Sequence, residues 1–378
     1  MSMMSRRGFL VAAASGAVCR PALAAPAPAE TSGLRNLAAS RGLLYGSYLD
    51  FGELQAEADY AALAARECGV MVSSRMDWDH LQPTPAKSEF AEVDTDYSWA
   101  RGHDMKFRGH ALVWGERAPR WFADLPDRGA AVDALVSHVA ETCRHFAGRM
   151  QSWDVVNEAI LVSSGRADRL RPQTFLDKIG PDYLDIAFYA ARDGDPDARL
   201  VYNDFGIEFS APDQLEKRQV LLDMIDGFKR RGTPIDAVGL QSHLSIADMA
   251  RFDDEEFSRF LGELAARGLE VMLTELDCID KGAPSDIAAR DQAVAGAYRH
   301  YLDVALGSPA VTTVITWGLG DRDSWVISGG DPMAKREDGL WPRPLLFDTD
   351  CQPKPAYWAV AEALRKASPR KSPSQARG

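Results

Sequence analysis

Residues 150–160 read MQSWDVVNEAI, and this segment decides how the rest of the chain is interpreted. The run SWDVV combines an aromatic residue with two valines, which favours a buried β-strand. Asn157 and Glu158 follow at once, so a strand that belongs in a core ends in an amide and a carboxylic acid. Residues 270–277, EVMLTELD, repeat this pattern around Glu275. Two glutamates at the ends of two buried strands are either a coincidence or a catalytic pair.

Strand-like and helix-like patterns alternate along the chain. Candidate strands are Leu43–Ser47, Val70–Ser73, Phe107–Val113, Ser152–Asn157, Arg199–Asn203, Ala237–His243, Glu270–Glu275 and Val311–Trp317. Helical patterns fall roughly at 53–67, 94–105, 129–146, 182–193, 213–231, 254–267 and 287–306, and a last one starts near Pro355. This alternation predicts an α/β fold, a single (β/α)8 TIM barrel. An open doubly wound sheet is the alternative, but no GxGxxG fingerprint follows a strand here.

The first 25 residues contain the three parts of an export signal. A twin-arginine pattern, SRRGFL, occupies 5–10, an apolar alanine-rich run extends to Val18, and a small-residue ALA motif ends at Ala24. This order predicts a twin-arginine signal peptide at 1–25, and therefore a periplasmic or secreted protein. The alternative is a basic N-terminus without fixed structure.

The remainder of the chain divides by composition. We predict a Pro/Ala linker at 26–36, a catalytic barrel at 37–366 and a disordered, Pro/Ser-rich tail at 367–378. Without the three arginines of the signal, the chain has 40 basic and 55 acidic residues, a net charge of −15. Such a chain repels phosphate backbones, so nucleic acid is not an expected partner. No later run is long and apolar enough to span a bilayer, and we expect a monomer.

The cysteines and histidines show no motif of a metal or redox site. Four cysteines follow the signal, none in a CxxC pair, and an exported protein can oxidise them to one or two disulfides: Cys68, Cys143, Cys278 and Cys351. The seven histidines form no HExxH motif, and we expect no metal and no cofactor. His138 and His145 fall in a predicted helix, where we expect them at the surface.

The ends of the predicted strands carry side chains suited to a sugar chain. A barrel brings these ends together on one face, where the active sites of such folds lie. The candidates are His110, Trp114, Asn157, Glu158, Asn203, Phe205, Gln241, His243, Glu275, Asp277, Trp317 and Trp325. Indole faces stack on pyranose rings, amides and acids bond hydroxyls, and two carboxylates can cleave a glycosidic bond. Taken singly, a glutamate at a strand end is more often a salt-bridge partner, but the convergence of these residues favours a site.

Seven segments resemble a known family, the family ten glycoside hydrolases, which are retaining endo-β-1,4-xylanases. They are RGHALVW at 108–114, WDVVNEA at 153–159, LVYNDF at 200–205, VGLQSHL at 238–244, VMLTELD at 271–277, TWGLGDRDSW at 316–325 and PLLFD at 344–348. The resemblance spans about residues 40–360. WDVVNEA and TELD in this order are the most specific part of it.

The resemblance implies a role for each central residue. Glu158 would be the general acid and base, and Glu275 would be the nucleophile that forms a glycosyl-enzyme intermediate. His243 would bond Glu275, Asp277 would orient His243, and Gln241 would help to hold the two carboxylates.

The resemblance also implies where the sugars bind. Asn157 would bond the 2-hydroxyl of the sugar at subsite −1, and Phe205 would stack on the first aglycone sugar. Asn203 would support the catalytic centre. The glycone side would be shaped by His110, Trp114, Trp317 and Trp325.

The segment after the second strand departs from the family pattern, as do Gly115 and Gly206, where the family often has His and Asn. The family usually has ENxMKW after the second strand, and its Glu, Asn and Lys bind the sugar at subsite −2. This chain reads SSRMDW at 73–78, with Ser73, Ser74 and Asp77 at those positions. The reaction centre is therefore retained while recognition at subsite −2 is expected to be altered.

The sequence thus predicts a secreted endo-1,4-β-xylanase whose partner is xylan or a related hemicellulose. A retaining hydrolase of another β-1,4-linked or decorated glycan is the alternative that the altered segment favours. A non-catalytic carbohydrate-binding protein is a third possibility, and loss of either glutamate would favour it, but both glutamates are present.

Overall fold

A closed barrel of parallel strands forms the centre of the molecule. The computed structural model describes residues 33–328 and 336–370. Eight strands pair in the order β8–β1–β2–β3–β4–β5–β6–β7, and pairing of β7 with β8 closes the ring. They are β1 Leu44–Leu49, β2 Val70–Ser73, β3 Lys106–Gly109, β4 Met150–Asn157, β5 Arg199–Asp204, β6 Ala237–Leu240, β7 Glu270–Ile279 and β8 Val311–Thr316. The predicted (β/α)8 barrel is confirmed, and the open sheet is excluded.

Helices lie between successive strands and cover the barrel. The α-helices are Leu34–Ala39, Phe51–Ala56, Ala58–Glu67, Trp78–Leu81, Ala91–Gly102, Arg128–His145, Thr174–Ile179, Tyr183–Gly194, Pro212–Arg231, Asp254–Ala266, Ile287–Ala305, Trp325–Ser328 and Pro355–Lys366. Their ends follow local chemistry. The Asp127 side chain accepts a hydrogen bond from the backbone N–H of Ala130 and caps one helix. Gly232 ends another with φ of 75°, a left-handed conformation that glycine adopts without strain.

Two predicted strands are interrupted at the face that carries the site. The predicted strand Phe107–Val113 ends at Gly109, and a two-residue strand, Val113–Trp114, pairs with the end of β4. The predicted strand Ala237–His243 ends at Leu240, and a short strand, His243–Ser245, pairs with the extended end of β7. The interruptions release polar side chains from the regular barrel, which explains why one continuous strand was a wrong prediction in each case.

The ends of the barrel domain differ from the sequence-based boundaries. A helix starts at Leu34, which is buried, inside the predicted linker at 26–36. At the other end, the guanidinium of Arg370 donates hydrogen bonds to the carbonyls of Leu306, Ser308 and Val311, so the first residues of the predicted tail are attached to the barrel. The predicted signal peptide at 1–25 and the tail at 371–378 lie outside the described residues.

The positions of His138 and of three cysteines in the core bear on two expectations from the sequence. His138 is buried, with its ring stacked on Trp78 at 4.0 Å, so the expectation of a surface position was wrong. Its helix turns it inward together with Leu135 and Val139. Burial lowers the pKa of His138 to about 3. Three of the cysteines are buried free thiols: Cys68, Cys143 and Cys278.

No helix within 33–328 or 336–370 is long and apolar enough to cross a membrane.

Candidate active site

Strand β4 delivers its two terminal polar residues to the mouth of the barrel. Its last residue, Asn157, is buried, and Glu158 directly after it takes a positive φ of 57°. The backbone N–H of Glu158 donates to the carbonyl of Asn203 at the end of β5 at 2.9 Å. This bond fixes the backbone turn at Glu158 against the neighbouring strand.

The Glu158 carboxyl lies in an environment that favours its protonated form. Burial raises its pKa; the hydrogen bond from Gln241 acts against this, and the negative charges of Asp204 and Glu275 add to it. Gln241 Nε2 donates to Glu158 Oε1 at 3.1 Å. The nearest cation is Arg171, whose Nη2 lies 4.0 Å from Glu158 Oε2. A carboxyl of this kind can keep a proton until a leaving oxygen needs it.

The Glu275 carboxyl, from the middle of β7, lies in the opposite kind of environment. Burial alone would raise its pKa, but the hydrogen bond from His243, the charges on His110 and His243 and a bond from Asn203 outweigh burial and lower it. Asn203 Nδ2 donates to Glu275 Oε1 at 2.7 Å, and His243 Nε2 lies 3.3 Å from Glu275 Oε2. Both oxygens of an ionised carboxylate are therefore stabilised.

One amide network joins the two glutamates. Asn157 Nδ2 donates to Glu158 Oε1 at 3.2 Å, and Asn157 Oδ1 accepts from Asn203 Nδ2 at 2.8 Å. The backbone carbonyl of Gln241 accepts from the backbone N–H of Glu275 at 2.9 Å, and the side-chain amide of Gln241 donates to Glu158. The predicted pair thus shares one hydrogen-bond network, and the two pKa values are displaced in opposite directions, as expected of an acid beside a nucleophile.

A relay of three side chains supports Glu275 from behind. His243 Nδ1 lies 3.0 Å from Asp277 Oδ1, and Trp325 Nε1 donates to Asp277 Oδ2 at 2.6 Å. Burial alone would lower the pKa of His243, but the charges of Asp277 and Glu275 and the bonds to them raise it well above its usual value. The two carboxylates therefore favour the protonated form of His243, which can donate to both of them.

A second histidine stands on the other side of the site. His110 Nδ1 lies 2.8 Å from Asp154 Oδ2, and Asp154 also accepts from Arg108 Nη2. Burial alone would lower the pKa of His110, but Asp154 and the charge of Glu275 raise it to about 9. Trp317 packs edge-on against the His110 ring at 5.2 Å.

The predicted aglycone platform is partly exposed. Phe205 follows β5, is 38% exposed, and has Lys217 Nζ 4.3 Å from its ring centroid. Lys217 Nζ in turn donates to buried Asp204 Oδ1 at 2.7 Å. Arg171 is also near the ring, with Cζ 5.6 Å from the Phe205 centroid. Two cations therefore lie close to Phe205 at the edge of the site.

A cavity of about 510 Å³ lies on the side of the site that His110, Trp317 and Trp325 form. We call it the glycone cavity. It brings together four predicted glycone residues and the altered segment: its lining is Tyr48, Asp50, Glu53, Ser73, Ser74, Asp77, His110, Trp114, Glu116, Arg117, Trp317 and Trp325. Its volume falls in the range of small-ligand sites.

Sequence reasoning missed three residues that contact the site. Asp154 lies in the middle of the apolar run SWDVV, and a buried acid at that position was a signal of an internal ion pair. Arg171 lies in a loop and donates from Nε to the carbonyl of Glu158 at 2.8 Å, and Lys217 comes from a helix. No sequence motif marks Arg171 or Lys217. Among the described residues, no group of His, Cys, Asp and Glu side chains is placed to hold a metal ion.

Comparisons with known proteins agree on one family. The model of glycosyl hydrolase family 10 matches residues 33–363. Endo-1,4-beta-xylanase B of Thermotoga neapolitana is 31% identical over 321 residues, which cover 84% of this chain and 86% of that protein. Exoglucanase XynX of Acetivibrio thermocellus is 32% identical over 84% of this chain, but over only 28% of the longer relative. The crystal structure of xylanase 10B from Thermotoga petrophila RKU-1 in complex with xylobiose has a TM-score of 0.79, 28% identity, and coverage of 90% of this chain and 99% of that one.

Proposed function

The chain belongs to glycosyl hydrolase family 10, as its motifs predicted, and we propose that it is an endo-1,4-β-xylanase that cleaves internal xylosidic bonds with retention of configuration. The observation that carries the proposal is the pair of buried glutamates in one amide network. The pKa of Glu158 is raised and that of Glu275 is lowered, which suits an acid and a nucleophile respectively.

In the first half of the reaction, Glu275 attacks the anomeric carbon of the sugar at subsite −1. Glu158 gives its proton to the glycosidic oxygen as the bond to that oxygen breaks, so the leaving chain departs as an alcohol. The sugar is then held as an ester on Glu275. To Asn157, whose side chain also bonds Glu158, we assign the bond to the 2-hydroxyl of that sugar.

In the second half, the roles of Glu158 reverse. Formation of the ester removes the charge of Glu275, and this charge helps to raise the pKa of Glu158. The pKa of Glu158 therefore falls, Arg171 stabilises the carboxylate, and Glu158 takes a proton from the water that attacks the ester. Glu275 leaves as a carboxylate, and two displacements retain the configuration.

The substrate is argued from the relatives and from the aromatic lining of the site. The relative from Thermotoga neapolitana is named an endo-1,4-β-xylanase, and it is covered over most of its length. Another relative is named an exoglucanase, and Ser73, Ser74 and Asp77 alter the glycone side. A retaining hydrolase of another β-1,4-linked or decorated glycan is therefore the second candidate.

We further propose that the enzyme acts as a monomer outside the cytoplasm. The twin-arginine pattern and the small-residue motif within 1–25 support export. Mass spectrometry of the exported chain would test this, since a mature N-terminus at Ala25 or Pro26 is expected, and an intact N-terminus in the periplasmic fraction would contradict cleavage.

The activity is tested on soluble polysaccharides: xylan, arabinoxylan, glucuronoxylan, mixed-linkage glucan and carboxymethylcellulose. Reducing ends are counted for the wild type and for Glu275→Ala. Release from xylans that disappears in the variant supports the xylanase. Release from a glucan alone would retain the mechanism and support the second candidate, and release from none of them would contradict both.

A further inference from the structure

We propose that the glycone cavity is an anionic subsite that binds neutral, hydroxyl-bearing sugar units and rejects units that carry a carboxylate. The inference rests on the proposed glycosidase function and assigns Asp77 as a specificity-determining residue. It concerns which branches the glycone side tolerates, such as a neutral hexosyl or pentosyl branch as opposed to a uronic acid.

The charge of the cavity is dominated by acids. Four carboxylates line it: Asp50, Glu53, Asp77 and Glu116. The lining cations are Arg117 and His110, and each is already paired. Arg117 Nε donates to Asp77 Oδ2 at 2.9 Å and lies 3.5 Å from Asp79 Oδ1. His110 is paired with Asp154, so neither cation has its full charge available for a substrate anion.

Two buried polar atoms of the lining have no hydrogen-bond partner within the part of the chain that the structure describes. One is Asp77 Oδ1, an acceptor on a residue that is only 9% exposed. The other is Trp114 Nε1, a donor. A sugar hydroxyl both donates and accepts, so the hydroxyls of a neutral sugar can satisfy the two atoms. A carboxylate can satisfy only the donor and leaves Asp77 facing a like charge.

Ser73 and Ser74, which replace the family's Glu and Asn, provide no hydrogen-bond donor for a substrate carboxylate. Ser73 Oγ donates to Asp96 Oδ2 at 2.6 Å, and Ser74 Oγ donates to Asp50 Oδ2 at 3.3 Å. Their protons are used inside the protein and are not offered to an anion. With aspartate at position 77 in place of lysine, the floor of the cavity accepts hydrogen bonds rather than donating them.

The repulsion has a distinct salt dependence. The cavity is open to solvent, so added salt screens the interaction between its carboxylates and a substrate anion. A steric barrier against a branch would not depend on salt. Loss of a hydrogen bond to a charged acceptor, combined with like-charge repulsion, corresponds to a loss of about tenfold or more in kcat/KM.

The test compares glucuronoxylan with the same polymer after its carboxyl groups have been reduced to primary alcohols. This pair keeps the branch and removes the charge. For the wild type at pH 7 and low ionic strength, we expect kcat/KM on the reduced polymer to be about tenfold higher, and the ratio to approach one at 0.5 M NaCl. Asp77→Asn should lower the ratio at low salt, whereas Asp168→Asn, at an exposed ion pair with Arg166, should leave it unchanged.

Three results separate the possible failures. A ratio near one at low salt, or a ratio that salt and Asp77→Asn both leave high, would overturn the inference while the xylanase activity stands. If Asp77→Asn does not fold, Glu116→Gln and the salt series on the wild type decide in its place. Absence of hydrolysis of either polymer and of unbranched xylan would contradict the proposed function itself, and the inference with it.

Discussion

Asp277→Asn tests how the relay behind Glu275 works. Asp277 accepts from Trp325 Nε1 at 2.6 Å and from His243 Nδ1 at 3.0 Å, and its charge keeps His243 protonated. Asparagine has nearly the same shape but only one acceptor. If its oxygen keeps the bond to Trp325, its amide group faces His243, which must then lose its Nδ1 proton and its charge.

The expected loss of activity follows from the weaker hydrogen bond between His243 and Glu275. A neutral His243 can still donate from Nε2 to Glu275, at the present separation of 3.3 Å, but the bond is no longer charge-assisted. Charged hydrogen bonds contribute about 1.5–3 kcal/mol and neutral ones about 1 kcal/mol, a difference of roughly 0.5–2 kcal/mol. We therefore expect kcat/KM near neutral pH to fall about tenfold.

The sign of the pH effect is also fixed. Glu275 must be ionised to attack, and the His243 charge helps to lower its pKa. Loss of that charge raises the pKa of Glu275, so the acidic limb of the kcat/KM profile moves to higher pH. The assay is hydrolysis of an aryl β-xylobioside from pH 4 to 9, with Asp168→Asn as the matched control. An acidic limb that does not move, with activity within twofold of the wild type, would refute the reasoning.

Three further predictions concern other parts of the molecule. Phe205→Ala should lower kcat/KM on xylopentaose about threefold to tenfold, because we expect the partly exposed ring to stack on an aglycone sugar, and should affect xylobiosyl fluoride less; an equal effect on both would contradict an aglycone role. His138→Phe should flatten the acid destabilisation measured by urea unfolding. The pKa of His138 is about 3 in the folded protein against a usual 6.5, so between these pH values only the unfolded chain binds the proton. As the pH is lowered through this range, the free energy of unfolding of the wild type falls by up to about 1.4 kcal/mol per pH unit. A pH slope that is unchanged in the variant would contradict this. A reductant should leave the melting temperature unchanged, because three of the cysteines, Cys68, Cys143 and Cys278, are buried free thiols, whereas a drop of several degrees would indicate a structural disulfide.

The sequence was sufficient for the barrel because its signals are local and repeated. Each strand is a short apolar run, and each is followed by a segment with helical periodicity. Glu158 and Glu275 could be selected because both follow such runs, and parallel strands in a barrel place their carboxyl ends on one face. The sequence motif around each glutamate then indicated which family of glycoside hydrolases the chain resembles.

The remaining contacts depend on packing between distant segments. The expectation for His138 was wrong because this residue lies on the same helix face as Leu135 and Val139, in the apolar stripe that packs against the barrel. Arg171 and Lys217 reach the site from a loop and a helix, and nothing in their local sequence marks them. The interruption after Gly109 was hidden because residues 107–113, FRGHALV, read as one strand in which Arg108 and His110 alternate with less polar residues.

The central claim is that Glu275 forms a covalent bond to the substrate while Glu158 serves as acid and base. The most direct measurement is to incubate the enzyme with a 2-deoxy-2-fluoroxylobioside that carries a good leaving group, and to map the product by peptide mass spectrometry. We predict a mass increase of one fluoroxylobiosyl unit on the peptide that contains Glu275, and no such label in Glu275→Ala. A label on another carboxylate, or steady turnover without any label and with inverted product configuration, would contradict the two-glutamate mechanism.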